Sequence, residues 1–389
     1  MTMTSRERVN LAINHQQPDR TPVDFLATPE IWQKLAKYYG INSTPDNDSF
    51  FFSPVRRQIM KKLQVDCAVI SYDMFYAPSE DIIDNDSKID WWNSLARSTP
   101  ARMWRQINAE GIIKDIWGHS CRIVKTENGA YEEFVGYPLG NIKSIEDVKA
   151  YSWPKPSYWD FSNLTKVITD LQADNDYHIR FRTGSIFEYA WQLRGMEQFM
   201  IDMVSEPEIP TAIMTCITDI LVPILENALE NGSDLIDMVY FYDDVGSQEN
   251  LLVSKRMWQR MIKPHHERLI SVIKKYGKKV MYHTDGAVHG IIPELIEMGV
   301  DVLNPIQPTA KDLDPKSLKL EFGDKLSFHG GIDIVETLPK GSPEEVQKEV
   351  LDRIQALSQN GGYVMCSSHH IQSDTPVENI IAMYEMKLR

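Results

Sequence analysis

The sequence predicts an α/β fold, a (β/α)8 TIM barrel with a β-rich insertion after the second strand. Three observations predict it. Strand-like apolar runs followed by helical stretches recur near residues 21, 66, 179, 235, 278, 300, 326 and 362. Their bodies read as continuous apolar runs, as expected of parallel strands covered on both faces. Nearly every run stops on polar residues, at the end where a barrel of this class builds its site. An open doubly wound sheet would need a glycine-rich phosphate loop after an early strand, and no Gly-x-Gly-x-x-Gly occurs.

The elements follow in order. Residues 5–15 read as a short helix with Val9, Leu11, Ala12 and Ile13 on its apolar side, broken by Gln17-Pro18-Asp19-Arg20. Residues 21–26 form the first predicted strand, with Asp24 inside it. Helices are predicted over 29–39, stopped by Gly40, and over 54–63. Residues 66–72 are the second strand, ending at Tyr72 and followed at once by Asp73. From 78 to 140 the texture changes: Trp91, Trp92, Trp104 and Trp117 fall here, and runs at 111–117 and 120–125 resemble strands, the latter followed by Glu127-Asn128-Gly129. This stretch reads either as a cover over a site or as surface elaboration. A short helix at 145–150 and a bend at 153–156 follow.

From there the alternation is regular. A strand at 179–185 ends in Thr183-Gly184-Ser185, and a helix carries Phe187, Trp191, Met196, Phe199 and Met200. Residues 207–230 place Ile209, Ile213, Ile217, Ile220, Ile224 and Leu225 near helical spacing and end at Asn231-Gly232. The strand at 235–242 ends in Asp243-Asp244. A helix over 254–276 is bent or divided near Pro264. The strand at 278–286 ends in His283, Asp285 and Gly286, and a helix at 291–298 is closed by Gly299. Strands at 300–306 and 325–328 lead to Gln307-Pro308 and to His329-Gly330-Gly331-Ile332-Asp333. Ser342-Pro343-Glu344-Glu345 caps a helix, with Ser at the cap, Pro first and Glu third. The last strand, 362–365, leads into Cys366-Ser367-Ser368-His369-His370, and Thr375-Pro376-Val377-Glu378 caps the final helix.

Composition narrows the class. Of 389 residues, 42% are hydrophobic and 25% charged, ordinary values for a water-soluble globular chain. No run of eighteen apolar residues occurs, so no membrane partner is expected. The polar start, Met-Thr-Met-Thr-Ser-Arg-Glu-Arg, lacks an apolar signal core and predicts a cytoplasmic location. The net charge of −14 argues against nucleic acid. Cys67, Cys121, Cys216 and Cys366 are scattered without Cys-x-x-Cys, which indicates neither a disulfide framework nor a zinc knuckle. A homodimer is left open.

Chemistry concentrates at the strand ends. His283 and Asp285 are two apart, so in extended chain they face the same way. With His369 they supply three ligands for zinc or another divalent metal, leaving one position open. Cys366 is an alternative ligand or a small apolar strand residue. A metal-free frame uses Asp24, Asp73 and Asp243-Asp244 as acid, base or electrostatic groups, since neighbouring carboxylates raise one another's pKa. A third frame is a small-molecule binding barrel without chemistry. Catalysis is assigned to Asp243, Asp244, His329 and Asp73. Binding of a small-molecule substrate is assigned to Asp24, Tyr72, Gln248, Gln307 and Asp333.

Several stretches resemble one family. They are Arg6-Glu7-Arg8 through Asp19-Arg20-Thr21-Pro22-Val23, Leu193-Arg194-Gly195-Met196-Glu197, and Tyr242-Asp243-Asp244-Val245-Gly246-Ser247-Gln248. His283-Thr284-Asp285-Gly286, residues 299–307, His329-Gly330-Gly331-Ile332-Asp333 and residues 369–376 continue the likeness. The chain resembles the uroporphyrinogen decarboxylase superfamily, in the branch that also holds corrinoid-linked zinc methyltransferases. The resemblance implies a (β/α)8 barrel. Haem-pathway members carry an arginine pair near the N-terminus that grips porphyrinogen carboxylates; here Thr21-Pro22-Val23-Asp24-Phe25-Leu26 stands there instead. The methyltransferase branch binds zinc through His-x-Cys and a later Cys. His283 matches the His, Asp285 stands at the first Cys position, and His369 stands close to the second. The resemblance therefore implies metal-dependent methyl transfer from a methylated small molecule, with cofactor-free decarboxylation as the alternative. No Asp-x-His-x-x-Gly motif occurs, so a corrinoid would arrive on a partner protein.

Overall fold

The computed structural model describes residues 3–43, 53–77, 88–91, 104–126 and 129–386. The predicted turn at 127–128, Trp92 and the stretch 78–87 lie outside these residues. Strand β1 is Cys67–Ser71. Strands β2 (Lys88–Trp91), β3 (Trp104–Ile107), β4 (Ile113–Lys114), β5 (Ser120–Thr126) and β6 (Gly129–Gly136) follow. Then come β7 (His178–Arg182), β8 (Met238–Tyr242), β9 (Lys279–His283), β10 (Val302–Ile306), β11 (Ser327–Ile332) and β12 (Tyr363–Ser367). The first sheet has seven strands in the order β1-β7-β8-β9-β10-β11-β12, and every pair in it is parallel. Helices alternate with these strands, giving the predicted barrel architecture.

The predicted first strand is the one that differs. Residues near 21–28 occupy the closing position between β12 and β1 but make only isolated bridges, Val23 with Met365 and Ala27 with Ile371. On the β12 side, Asp24 N donates to Met365 O and Met365 N donates to Pro22 O, each at 2.9 Å. On the other side, Asp66 N donates to Val23 O at 2.8 Å, but Val23 N donates to the Asp66 side chain at 2.9 Å. A carboxylate thus takes the place of a strand carbonyl, and Pro22 has no N–H to offer. On the β1 side the backbone ladder stops after one hydrogen bond.

Two cores hold the barrel. The larger lies between sheet and helices and includes Ile70, Ile179, Phe181, Val239, Phe241 and Leu303. The smaller fills the barrel bottom, where Cys67, Met238, Met281, Val302 and Val364 meet Val9 and Ile13 of helix Ser5–Ile13. The N-terminal helix therefore plugs the end opposite the site. Helix Glu208–Gly232 is long and apolar enough to cross a membrane by length and composition. Its apolar residues, among them Ile213, Ile217, Leu221 and Leu225, are buried within the fold. Two predicted helices are divided. Gly195, at φ +89°, separates Phe187–Arg194 from Met196–Ser205. The stretch 254–276 splits into Lys255–Met261 and Lys263–Lys275, with Pro264 in the first turn of the second.

Strands β2–β6 form a separate five-stranded antiparallel sheet. Its loop at Trp117 reaches the barrel mouth: Trp117 Nε1 donates to Tyr72 OH at 2.9 Å, and Tyr151 OH donates to Trp117 O at 2.8 Å.

Candidate metal centre

His283 is the last residue of β9, Asp285 follows two positions on, and His369 follows β12. These strands are not neighbours in the sheet, yet the two imidazole rings stand 6.0 Å apart. Ligand atoms of His283, Asp285 and His369 all lie within 4.8 Å of one another. Asp285 Oδ1 is 4.0 Å from His283 Nε2 and Oδ2 is 3.9 Å from His369 Nε2. Asp285 Oδ1 is buried and has no hydrogen-bond partner among the described residues. Burial and then the Asp244 charge push the Asp285 carboxyl up against the opposing pull of His283 and His369, while burial pushes His369 down. A cation at the centre reverses the first effect and needs the neutral imidazole that the second provides. Two nitrogens and one carboxylate oxygen suit zinc or a similar divalent ion.

The surrounding chain fixes this geometry. Asp285 N donates to Asp244 Oδ1 at 2.8 Å, and Gly286 N donates to Gln307 Oε1 at 3.0 Å. The loops after β8 and β9 pack backbone against backbone. A Cβ on Gly246 would lie 2.6 Å from Asp285 O, and one on Gly286 would lie 2.5 Å from Ser247 O. Behind His283, its Nδ1 lies 2.6 Å from Asn304 Oδ1, and Asn304 Nδ2 lies 2.6 Å from His329 Nδ1. His329 Nε2 is 2.9 Å from Asp24 Oδ2, which also pairs with Arg180. Asp24, His329 and Cys366 form a second compact group, fully buried. Arg180 already neutralises Asp24 there, and burial pushes the Cys366 thiol up, so this group is poorly suited to a cation.

Two cavities flank the centre. The larger, about 280 Å³, lies between the antiparallel sheet and the barrel mouth and is lined by Tyr72, Asp73, Trp117, Arg182, Tyr189 and Tyr242 among others. The smaller, about 120 Å³, lies within the barrel beside Asp24, Arg182, Tyr240 and His370. Tyr240 stands 5.9 Å from the His283 ring and His370 stands 5.0 Å from the His369 ring, so the smaller cavity adjoins the three candidate ligands.

The remaining predicted residues divide. Asp244 and Gln307 brace the Asp285 loop, and Tyr72 and Asp73 line the larger cavity. Asp243 does not reach the mouth: fully buried, it accepts from Ser185 Oγ, Ile186 N, Glu188 N and lies 2.8 Å from His266 Nε2. It is a structural hub at a helix N-terminus rather than a group facing substrate. Asp333 caps a helical turn, accepting from the N–H groups of Val335, Glu336 and Thr337. Gln248 is exposed on its loop. His329 and Asp24 sit beneath the centre, at 1% and 2% exposure.

Other residues at the site escaped the sequence reading. β7 and β8 are not continuously apolar: Arg180, Arg182, Tyr240 and Tyr242 face the barrel interior, while Ile179, Phe181, Val239 and Phe241 face the helices. The alternation in His-Ile-Arg-Phe-Arg and Met-Val-Tyr-Phe-Tyr is the signal that would have found them. Glu188, in a helical first turn, reads as a favourable charge at a helix N-terminus. In the structure its Oε1 accepts from Asp244 N, and burial followed by Asp244 and Asp243 pushes its carboxyl up to about 8.

Comparison with known proteins agrees with this architecture. The family model for uroporphyrinogen decarboxylase (URO-D) matches residues 137–387. A solved methyltransferase from Methanosarcina mazei is similar in fold at 15% identity, with a TM-score of 0.65 over 99% of this chain and 98% of that one. The IOLI protein, solved with a zinc atom, aligns at 14% identity over 62% of this chain and 79% of its own, with a TM-score of only 0.31. No curated protein matches the chain.

Proposed function

The chain belongs to the uroporphyrinogen decarboxylase family, and from that premise we propose a metal-dependent methyltransferase that acts on a methylated small molecule. The observation that carries the proposal is the convergence of His283, Asp285 and His369 within 4.8 Å around a buried, unpartnered carboxylate oxygen. The fold it shares with the Methanosarcina mazei methyltransferase is consistent with this reading.

His283 Nε2, His369 Nε2 and the Asp285 carboxylate would hold the ion. Such an ion, zinc by preference, supplies Lewis-acid polarisation of the atom that loses the methyl group. Asp244 and Gln307 keep the Asp285 loop in place through its backbone N–H groups. Glu188, protonated to about pH 8, stands beside Asp244 as a proton source for the departing group. The antiparallel sheet forms one wall of the aromatic cavity. The acceptor in this proposal is a corrinoid on a separate protein, docking at the barrel mouth.

One observation favours a second reading. Arg182 lines both cavities and pairs with Asp73 at 3.0 Å, a placement suited to a substrate carboxylate and hence to cofactor-free decarboxylation.

The test is metal content of the purified protein beside His283→Ala, prepared without a metal-binding tag. Near-stoichiometric zinc in the wild type, lost in the variant, supports methyl transfer. A wild type that takes up no divalent ion overturns it and moves attention to Arg182 and carboxylate substrates.

A further inference from the structure

We propose that Asp24, His329 and Asn304 form a relay that holds His283 in the one tautomer able to bind a metal. The consequence for affinity rests on the metal-binding reading above; the tautomer itself does not.

The argument starts from the buried end. Asp24 can only accept: burial pushes its carboxyl up, but Arg180 and the contact with His329 hold it well below its ordinary range. The ring nitrogen 2.9 Å from it, His329 Nε2, must then carry a proton. The neutral ring leaves Nδ1 as an acceptor. The Asn304 group 2.6 Å from that Nδ1 must donate, which makes it the amide NH2. The amide oxygen therefore faces His283 Nδ1 at 2.6 Å and requires a proton there. His283 Nε2 is left with its lone pair free, toward Asp285 and His369. Each step has a donor facing an acceptor, and the order is set by the carboxylate.

The opposing order has one supporting contact. Arg180 Nη1 lies 3.3 Å from His329 Nε2 and would donate to a lone pair there. Turning the amide to suit it would place that lone pair 2.9 Å from the Asp24 carboxylate and put a proton on His283 Nε2, which would block ligation. The shorter contact is with the acceptor, so the ligating order prevails. A hydrogen-bonded partner behind a metal-binding histidine typically changes affinity by about 10- to 100-fold. Here the partner is itself oriented by two further residues.

The experiment uses the full chain, labelled with ¹⁵N-histidine and stripped of metal with a chelator. Ring-nitrogen NMR should show His283 protonated on Nδ1 and His329 on Nε2. Zinc affinity is then measured by chelator competition. Asn304→Leu should lose the single tautomer and bind zinc about 10- to 100-fold more weakly. Asn304→Asp, which keeps an acceptor toward His283, should keep both. His329→Leu, which removes the acceptor for the amide NH2, should mix the tautomers. A wild-type His283 protonated on Nε2 overturns the relay without any variant. So does a folded Asn304→Leu protein with unchanged tautomer and zinc affinity. If the wild type binds no zinc, the proposed function falls while the tautomer measurement still decides the relay.

Discussion

The Asp285 carboxylate stands 3.9 Å from His369 Nε2 although two strands, β10 and β11, separate the strands that precede them. That separation is too long for a hydrogen bond. It is slightly wider than the ~3.3 Å between ligands that ~2.05 Å bonds give around tetrahedral zinc. Asp285→Ala should therefore reduce bound zinc to a small fraction of the protein. Asp285→Cys should retain it and shift preference from manganese toward zinc, because a thiolate is the softer ligand. Metal analysis after equilibration with an equimolar mixture of the two ions decides both; equal metal in wild type and Asp285→Ala counts against the centre.

Asp243 predicts a loss of stability rather than of chemistry. Asp243→Ala leaves Ser185 Oγ, Ile186 N and His266 Nε2 without their common partner inside the fold, while Glu188 N keeps Ser185 Oγ as an acceptor. Each buried orphan costs about 1–3 kcal/mol, so a loss of at least about 3 kcal/mol is expected. Denaturant unfolding measures it; a change below about 1 kcal/mol would contradict the structural assignment.

Glu188 predicts a pH dependence. Its carboxyl titrates near 4.5 in the unfolded chain and at about 8 in the folded one. Between those values the folded protein keeps a proton that the unfolded chain has released. Its contribution is complete below the lower value and is lost as pH rises through the upper one. Glu188→Gln lacks this loss. In chelator, the stability of Glu188→Gln minus that of wild type should grow between about pH 5 and about pH 8.5. A constant difference would mean that Glu188 is ionised throughout.

Arg182 separates the two chemistries. Arg182→Met should leave zinc content unchanged, since Arg182 is not among the three candidate ligands. It should abolish any thermal stabilisation of the protein by small carboxylates. Stabilisation that survives the substitution places the carboxylate elsewhere and removes the support for decarboxylation.

Much of this molecule was legible from its residues. Seven of the barrel's strands follow from apolar runs ending in polar residues, and His283, Asp285 and His369 could be grouped because strand ends share one mouth. The segment at 21–26 reads as a strand but makes only isolated bridges, because nothing local reveals that the Asp66 side chain captures Val23 N. Asp243 and Asp333 carry the residue type of a catalytic acid but are spent on backbone N–H groups. Asn304 has no signature at all: its importance comes from lying between two imidazoles on adjacent strands, β9 and β11, which flank its own. Arg182 and Tyr242 do not stand out because their strands read as apolar, while the alternation that turns both side chains inward is subtler.

The contact between Gly246 and Gly286 has a consequence for redesign. Since a Cβ at either position would collide with backbone of the facing loop at 2.5–2.6 Å, the two loops are keyed to each other by their main chains. The side chain at 285 is cantilevered from that joint and takes no part in it. Donor chemistry and donor placement are thus separable. If the proposed centre binds a cation, exchanging one side chain should retune it among hard and soft ions while the mounting that aims it stays as it is.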